Sequence, residues 1–217
     1  MRRVFLLPSI AILTAACSSG PAEPPVPADP EDAASVVEAA RGCAALGLEY
    51  GDVPVAAEPE FHGDPSQGER NTLIGELYLE QVSELPCVYT LPSGMLIRVV
   101  EASGEDMPTP EAGEIVRAHY DGRFPNGEGF QSSYDAGEPI NHPSNGFIVG
   151  WNEAMSHMRI GEVWELFIPS NLAYGPAGIG PIGPNQTLFF RMELVCLPAR
   201  AEPSCEALEA EAAAEEG

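Results

Sequence analysis

Five blocks between residues 118 and 190 decide the fold. They read Ala118-His119-Tyr120-Asp121-Gly122, Gly129-Phe130-Gln131-Ser132-Ser133, Phe147-Ile148-Val149-Gly150-Trp151, Leu172-Ala173-Tyr174-Gly175-Pro176 and Thr187-Leu188-Phe189-Phe190. Aromatic and branched apolar side chains are scattered among turns, and none adjoins a nucleophile or a metal-ligating cluster. The pattern describes an apolar cup that holds a ligand. Around the cup the period is two. Val116, Ala118 and Tyr120 alternate with Arg117, His119 and Asp121. Trp164, Leu166 and Ile168 alternate with Val163, Glu165 and Phe167, and Leu188, Phe190, Met192, Leu194 and Cys196 share one face. Such alternation predicts strands with one buried face. Trp151, Ala154, Met155 and Met158 instead have helical spacing. The expected class is therefore α+β: a twisted antiparallel sheet around one short helix, with a helical N-terminal extension.

Working outward, 217 residues leave room for one such domain and its appendages. Residues 1–16 read as a leader: Arg2 and Arg3, then an apolar run too short to span a bilayer. Leu13-Thr14-Ala15-Ala16-Cys17 reads as a lipobox, so Cys17 is expected to become a lipidated N-terminus. Ser18 after it resembles outer-membrane sorting in Gram-negative bacteria. Residues 17–34 are a Pro-rich tether, residues 35–86 a small helical segment, 87–198 the β-rich domain, and 199–217 an acidic Ala/Glu-rich tail. Ser35-x-x-Glu38 has the spacing of a capping box for a first helix, and Asn71 is expected to cap a second that runs to Glu84 before Pro86. All ten basic residues are Arg, and the formal charge of −23 becomes −25 without Arg2 and Arg3. A chain this acidic repels nucleic acid and anionic headgroups, so membrane attachment falls to acyl chains. Besides Cys17 there are four cysteines, enough for two disulfides with three connectivities in an exported chain. Their positions flanking the segments favour Cys43–Cys87 with Cys196–Cys205. There is no CxxC pair, the four histidines are widely spread, and neither a metal nor a cofactor is expected.

The order of the blocks resembles the FKBP-type (macrolide-binding) peptidyl-prolyl cis-trans isomerases over residues 91–197, and most the secreted bacterial branch typified by the macrophage infectivity potentiator. The resemblance implies an exported enzyme that accelerates X-Pro isomerisation in folding polypeptides. It implies Trp151 as the floor under a prolyl ring, with Tyr120, Phe130 and Phe190 as walls. Ile148 is the position whose backbone N–H binds a substrate carbonyl, with Phe147 beside it. Tyr174 supplies a rim hydroxyl, Ile182 an overhanging loop, and Ile140 replaces a wall aromatic. Two positions depart from the family. Gln131 stands where an Asp is usual, and Ala136 where its Arg partner is usual, so both charges are missing together. Weaker turnover, weaker macrolide binding, or a chaperone-like binding lipoprotein on the same scaffold are the consequences to test. A third reading is a structural envelope lipoprotein whose acidic tail and N-terminal segment bind a partner.

Overall fold

A computed structural model describes residues 23–47, 53–201, 203–208 and 210. The leader, Cys17, the start of the tether and the end of the acidic tail lie outside the described residues. The elements are α1 (Ala33–Ala44), α2 (Gln67–Ser83), β1 (Tyr89–Thr90), β2 (Leu96–Glu101), β3 (Ile115–Arg123), β4 (Gly129–Ser132), α3 (Ser133–Ala136), β5 (Ile140–Pro143), α4 (Val149–Met155), β6 (Val163–Ile168), a 3-10 turn (Ser170–Leu172) and β7 (Leu188–Cys196). One antiparallel sheet has the order β1-β2-β6-β7-β3-β4, with β5 also pairing to β3. This is the α+β architecture expected.

The strands follow the predicted alternation. Val116, Ala118 and Tyr120 of β3 face Leu166, Ile168, Phe190, Met192 and Leu194 in one core, which closes on Trp151, Ala154, Met155 and Met158. Helix α4 thus lies against the inner face of the sheet. At Gly150 it comes so near β6 that an added Cβ would stand 2.8 Å from Ile168 Cγ2.

The expectation of one buried face fails for β6, which is buried at all six positions. The cause is α2, which covers the other face. Tyr78 and Val82 of α2 pack with Leu96, Phe167 and Phe189 in a second apolar cluster. Both helix starts also differ from expectation. Asp32, not Ser35, caps α1, its carboxylate accepting from the N–H groups of Ala34 and Ser35. Ser66 and Glu69 form the capping box of α2: the Glu69 N–H donates to Ser66 Oγ, and the Ser66 N–H to Glu69 Oε2 at 2.8 Å. That places the start four residues before Asn71, whose Nδ2 instead donates to Pro184 O at 2.8 Å and ties α2 to the loop before β7.

Helix α1 inserts Val36, Val37 and Ala40 into the main core, so it shares that core with the strands. The middle of the tether is docked as well: the Tyr89 hydroxyl donates to Pro25 O at 2.7 Å. Cys43 pairs with Cys87 and Cys196 with Cys205, with Cα separations of 5.8 and 5.3 Å. No helix among the described residues is long and apolar enough to cross a membrane.

Candidate functional site

Strand alternation turns Tyr120 of β3 and Phe190 of β7 to the inner face, where both are buried. Two residues beyond Tyr120, Gly122 pairs with Phe190 on one side and Gln131 on the other. Having no side chain, it lets Phe190 and Phe130 close over the backbone. An added Cβ would stand 2.7 Å from Phe190 Cε1 and 2.8 Å from Phe130 Cζ. Strand β4 contributes Phe130 and Gln131, and β5 contributes Ile140. The loop into α4 brings Gly146, Phe147 and Ile148, and the first turn of α4 brings Trp151. Tyr174 reaches in from the loop after the 3-10 turn. Gly122 apart, these ten residues line one cavity of about 400 Å³.

The walls are set by ring packing. Trp151 meets Tyr120 and Phe190 edge-on, with centroids 5.0 Å apart in both pairs, and Phe147 at 4.9 Å. Phe130 meets Phe190 edge-on at 5.6 Å. Edge-to-face contacts of this kind hold aromatic side chains in fixed relative orientation. Phe124, which sequence reasoning missed, packs behind Phe130 at 4.9 Å. Trp151 is 5 % exposed, and its Nε1–H has no acceptor among the described residues.

No Asp, Glu, His, Lys or Arg is among the lining residues. Burial pushes the Tyr120 hydroxyl above its usual range, and the nearby Tyr174 adds to the shift. Tyr120 therefore remains a neutral hydrogen-bond donor at physiological pH. The polar groups left to meet a ligand are hydroxyls, the Gln131 amide and backbone. Ile148 is the N-cap of α4, with φ −63° and ψ 157° and no side-chain cap bond. A cavity of this kind suits an apolar ring flanked by peptide carbonyls.

Of the nine residues named from sequence as the site, eight line the cavity. Ile182 does not. It is 6 % exposed in the main core, paired in a bridge with Ile179. The intervening Gly180, like Gly178, has positive φ, so the loop folds back on itself and turns Ile182 inward. Ile140 lines the cavity as expected, and Gly146 joins it without having been foreseen. Ala136 ends α3, exposed and outside the lining.

Residues 107–195 match the profile of the family described as FKBP-type peptidyl-prolyl cis-trans isomerase. The "Outer membrane protein MIP" of Legionella longbeachae is 35 % identical over 151 residues, covering 69 % of this chain and 63 % of that protein. The Mip isomerase of Coxiella burnetii is 40 % identical over 111 residues, 51 % of this chain and 47 % of that one. The chain thus spans about half to two thirds of the length of these curated relatives. Among solved structures, FkpA from Escherichia coli superposes with a TM-score of 0.57 at 35 % identity, over 59 % of this chain and 60 % of that one. A peptidyl-prolyl cis-trans isomerase from Pseudomonas syringae pv. tomato superposes with a TM-score of 0.55 at 30 % identity, over 62 % of this chain and 98 % of that one. With its sheet, its short inner helix and its aromatic cavity, this chain belongs to the FKBP-type peptidyl-prolyl cis-trans isomerase family.

Proposed function

We propose that this chain is a peptidyl-prolyl cis-trans isomerase that assists the folding of exported proteins from a lipid anchor at Cys17. The observation that carries the reading is the aromatic ring around Trp151, closed by Tyr120, Phe130, Phe147 and Phe190 and free of Asp, Glu, His, Lys and Arg. An X-Pro bond turns slowly because its C–N bond has partial double-bond character, with a barrier of about 18–20 kcal/mol. The transition state twists the amide and gives up the charge separation of the planar form. An apolar cup disfavours the planar polar ground state relative to the twisted one. Lowering the barrier by about 4 kcal/mol gives roughly a thousandfold acceleration. Trp151 would hold the prolyl ring, the Ile148 N–H would receive the carbonyl, and the Tyr174 and Gln131 side chains would orient the flanking peptide.

The envelope location is supported by the leader-like start, by the paired cysteines and by relatives named as outer membrane and macrophage infectivity proteins. Clients are unfolded or proline-containing polypeptides. Macrolides enter the same cup with reduced affinity, because Gln131 supplies no negative field.

A second reading is a binding module with little turnover, and Gln131 together with Ala136 is what favours it. One experiment separates the two: refolding of a proline-limited substrate by the full chain carrying Cys17→Ser, beside Trp151→Leu and Gln131→Asp in that background. Catalysis by the parent that is lost in Trp151→Leu is the expected result. No catalysis by the parent, with a gain in Gln131→Asp, would mean that a binding module occupies an isomerase scaffold. Detergent partitioning of wild type against Cys17→Ser tests the anchor, which equal solubility would rule out.

A further inference from the structure

Asn152 stands one residue beyond the floor tryptophan and is not among the residues lining the cavity. Its backbone N–H donates to Ile148 O at 3.0 Å, closing the first turn of α4. Its side chain turns back over the loop that enters the helix. Oδ1 accepts from the Phe147 N–H at 3.0 Å, and Nδ2 donates to Phe147 O at 3.2 Å. One planar amide therefore holds two successive peptide units, that between Gly146 and Phe147 and that between Phe147 and Ile148.

The second unit matters for binding. A peptide unit is planar and trans, so its C=O and N–H point to opposite sides. Anchoring Phe147 O on Nδ2 fixes the Ile148 N–H to point away from Asn152. Phe147 and Ile148 both line the cavity, and among the described residues the Ile148 N–H has no hydrogen-bond partner. It is free for a ligand carbonyl. Ile148 makes no side-chain cap bond, so among the described residues the Asn152 amide is what hydrogen-bonds this peptide.

We infer that Asn152 is a positioning residue, whose side-chain amide aims the Ile148 N–H at the carbonyl of the bound X-Pro peptide. The inference rests on the isomerase reading of the cavity. The role requires one donor and one acceptor on the same planar group. Asn has both, an ionised Asp has acceptors only, and a protonated Asp has both again. Asn152→Asp therefore acquires a pH dependence that the parent lacks. As a carboxylate it faces Phe147 O with an oxygen and turns the peptide; as a carboxylic acid it restores both bonds.

The titratable groups nearby belong to several elements. His142 of β5 has its ring 4.5 Å from that of Phe147, Glu153 and His157 lie on or just after α4, and Tyr120 and Tyr174 line the cavity. All are common to parent and variant. The quantity to read is therefore the ratio of the two at each pH.

The test measures kcat/KM on a proline tetrapeptide from pH 8 to pH 3.5, a range that passes below the ordinary Asp pKa of about 3.9, using the full chain with Cys17→Ser, alone and with Asn152→Asp or Asn152→Ala. Near-ultraviolet circular dichroism confirms that each is folded at each pH. Losing one hydrogen bond and opposing two oxygens should lower Asn152→Asp about tenfold at pH 8. Its ratio to the parent should climb back to within about threefold as the carboxyl protonates, whereas Asn152→Ala stays low throughout. A folded Asn152→Asp that matches the parent at pH 8, or stays depressed at every pH, would overturn the inference. A parent without catalysis overturns the isomerase reading alone. Tetrapeptide affinity, followed by intrinsic fluorescence, then decides the role of Asn152 by the same ratio.

Discussion

Gly122 is where the walls of the cavity touch the backbone, and at this position the smallest change has the clearest consequence. In Gly122→Ala the new methyl would stand 2.7 and 2.8 Å from ring carbons of Phe190 and Phe130, so both rings, or the strand itself, must shift. Phe190 is only 4 % exposed and is held edge-on by Trp151, so Phe130 moves more readily, and it borders the cavity. We expect folded protein, destabilised by about 1–3 kcal/mol as overpacked sites usually are. We expect kcat/KM to fall about tenfold or more through misplaced walls. Thermal melts and the tetrapeptide assay check both, and an unchanged kcat/KM would show that the walls do not set turnover. Trp151→Leu differs in kind. The indole Nε1–H makes no hydrogen bond among the described residues, so its loss removes packing and no bond. Most of this ring was legible in the sequence, because strand alternation fixes the faces of Tyr120 and Phe190. Helical spacing likewise fixes Trp151 relative to Ala154 and Met155. Ile182 was misread because a loop with glycines of positive φ has no period from which to read a direction. Gly146 carries no side chain to announce it.

Helix α1 depends on a buried polar network as well as on its apolar stripe. Arg41 Nε and Nη2 donate to the two oxygens of Glu162 at 2.7 and 3.0 Å, and Nη2 also reaches His157 O. Glu162 is fully buried and accepts in addition from Trp164 Nε1 and the Arg159 N–H. A buried carboxylate deprived of its cation is expensive, and removing one partner of such a pair costs about 3–5 kcal/mol. Arg41→Met should therefore destabilise by about 3 kcal/mol, because the two remaining donors still hold Glu162. Arg41→Met with Glu162→Gln should recover part of the loss. Urea unfolding with the disulfides intact measures this, and a cost near zero for Arg41→Met would show that α1 docks by its valines alone. None of this could be read from the sequence, where Arg41 looks like one more charge on a short Ala-rich helix. The same limit explains β6. Alternation announces one face, but the burial of Glu165 and Phe167 depends on where α2 lands, and that is settled by contacts distant in the chain, such as Asn71 with Pro184. The helix starts were legible in kind, since Ser66-x-x-Glu69 is itself a capping pattern, but Asp32 and Ser66 lie upstream of the residues that drew attention.

At the scale of the whole molecule, a charge of −23 carried by a chain without lysine makes acid the informative stress. Two effects oppose each other as pH falls. Protonating surface carboxylates relieves self-repulsion and favours the compact state. Groups whose folded pKa is depressed work the other way, since they bind protons more readily when unfolded. Glu114 is one. Arg200 donates to both its oxygens, at 2.7 and 2.6 Å, and holds its carboxyl below the usual range. His157 is another, lowered chiefly by burial, while neighbouring Glu153 opposes the shift and Arg41 adds to it. The sign follows for both. Their stabilisation is complete above the unfolded pKa and is lost as pH falls through the folded one. His157 begins to act below about pH 6.5 and Glu114 below about pH 4.3. The Glu114–Arg200 pair joins the approach to β3 to the segment after β7, which the Cys196–Cys205 pair also closes. Glu114→Gln should therefore melt earlier than the parent at pH 7. The gap should narrow below about pH 4.3, where the parent loses the same interaction by protonation. Melting curves of the two proteins from pH 8 to pH 3.5, at one ionic strength, make the comparison. A gap that stays constant across that range would mean that Glu114 acts through packing, and that the acid limb of this protein has another origin.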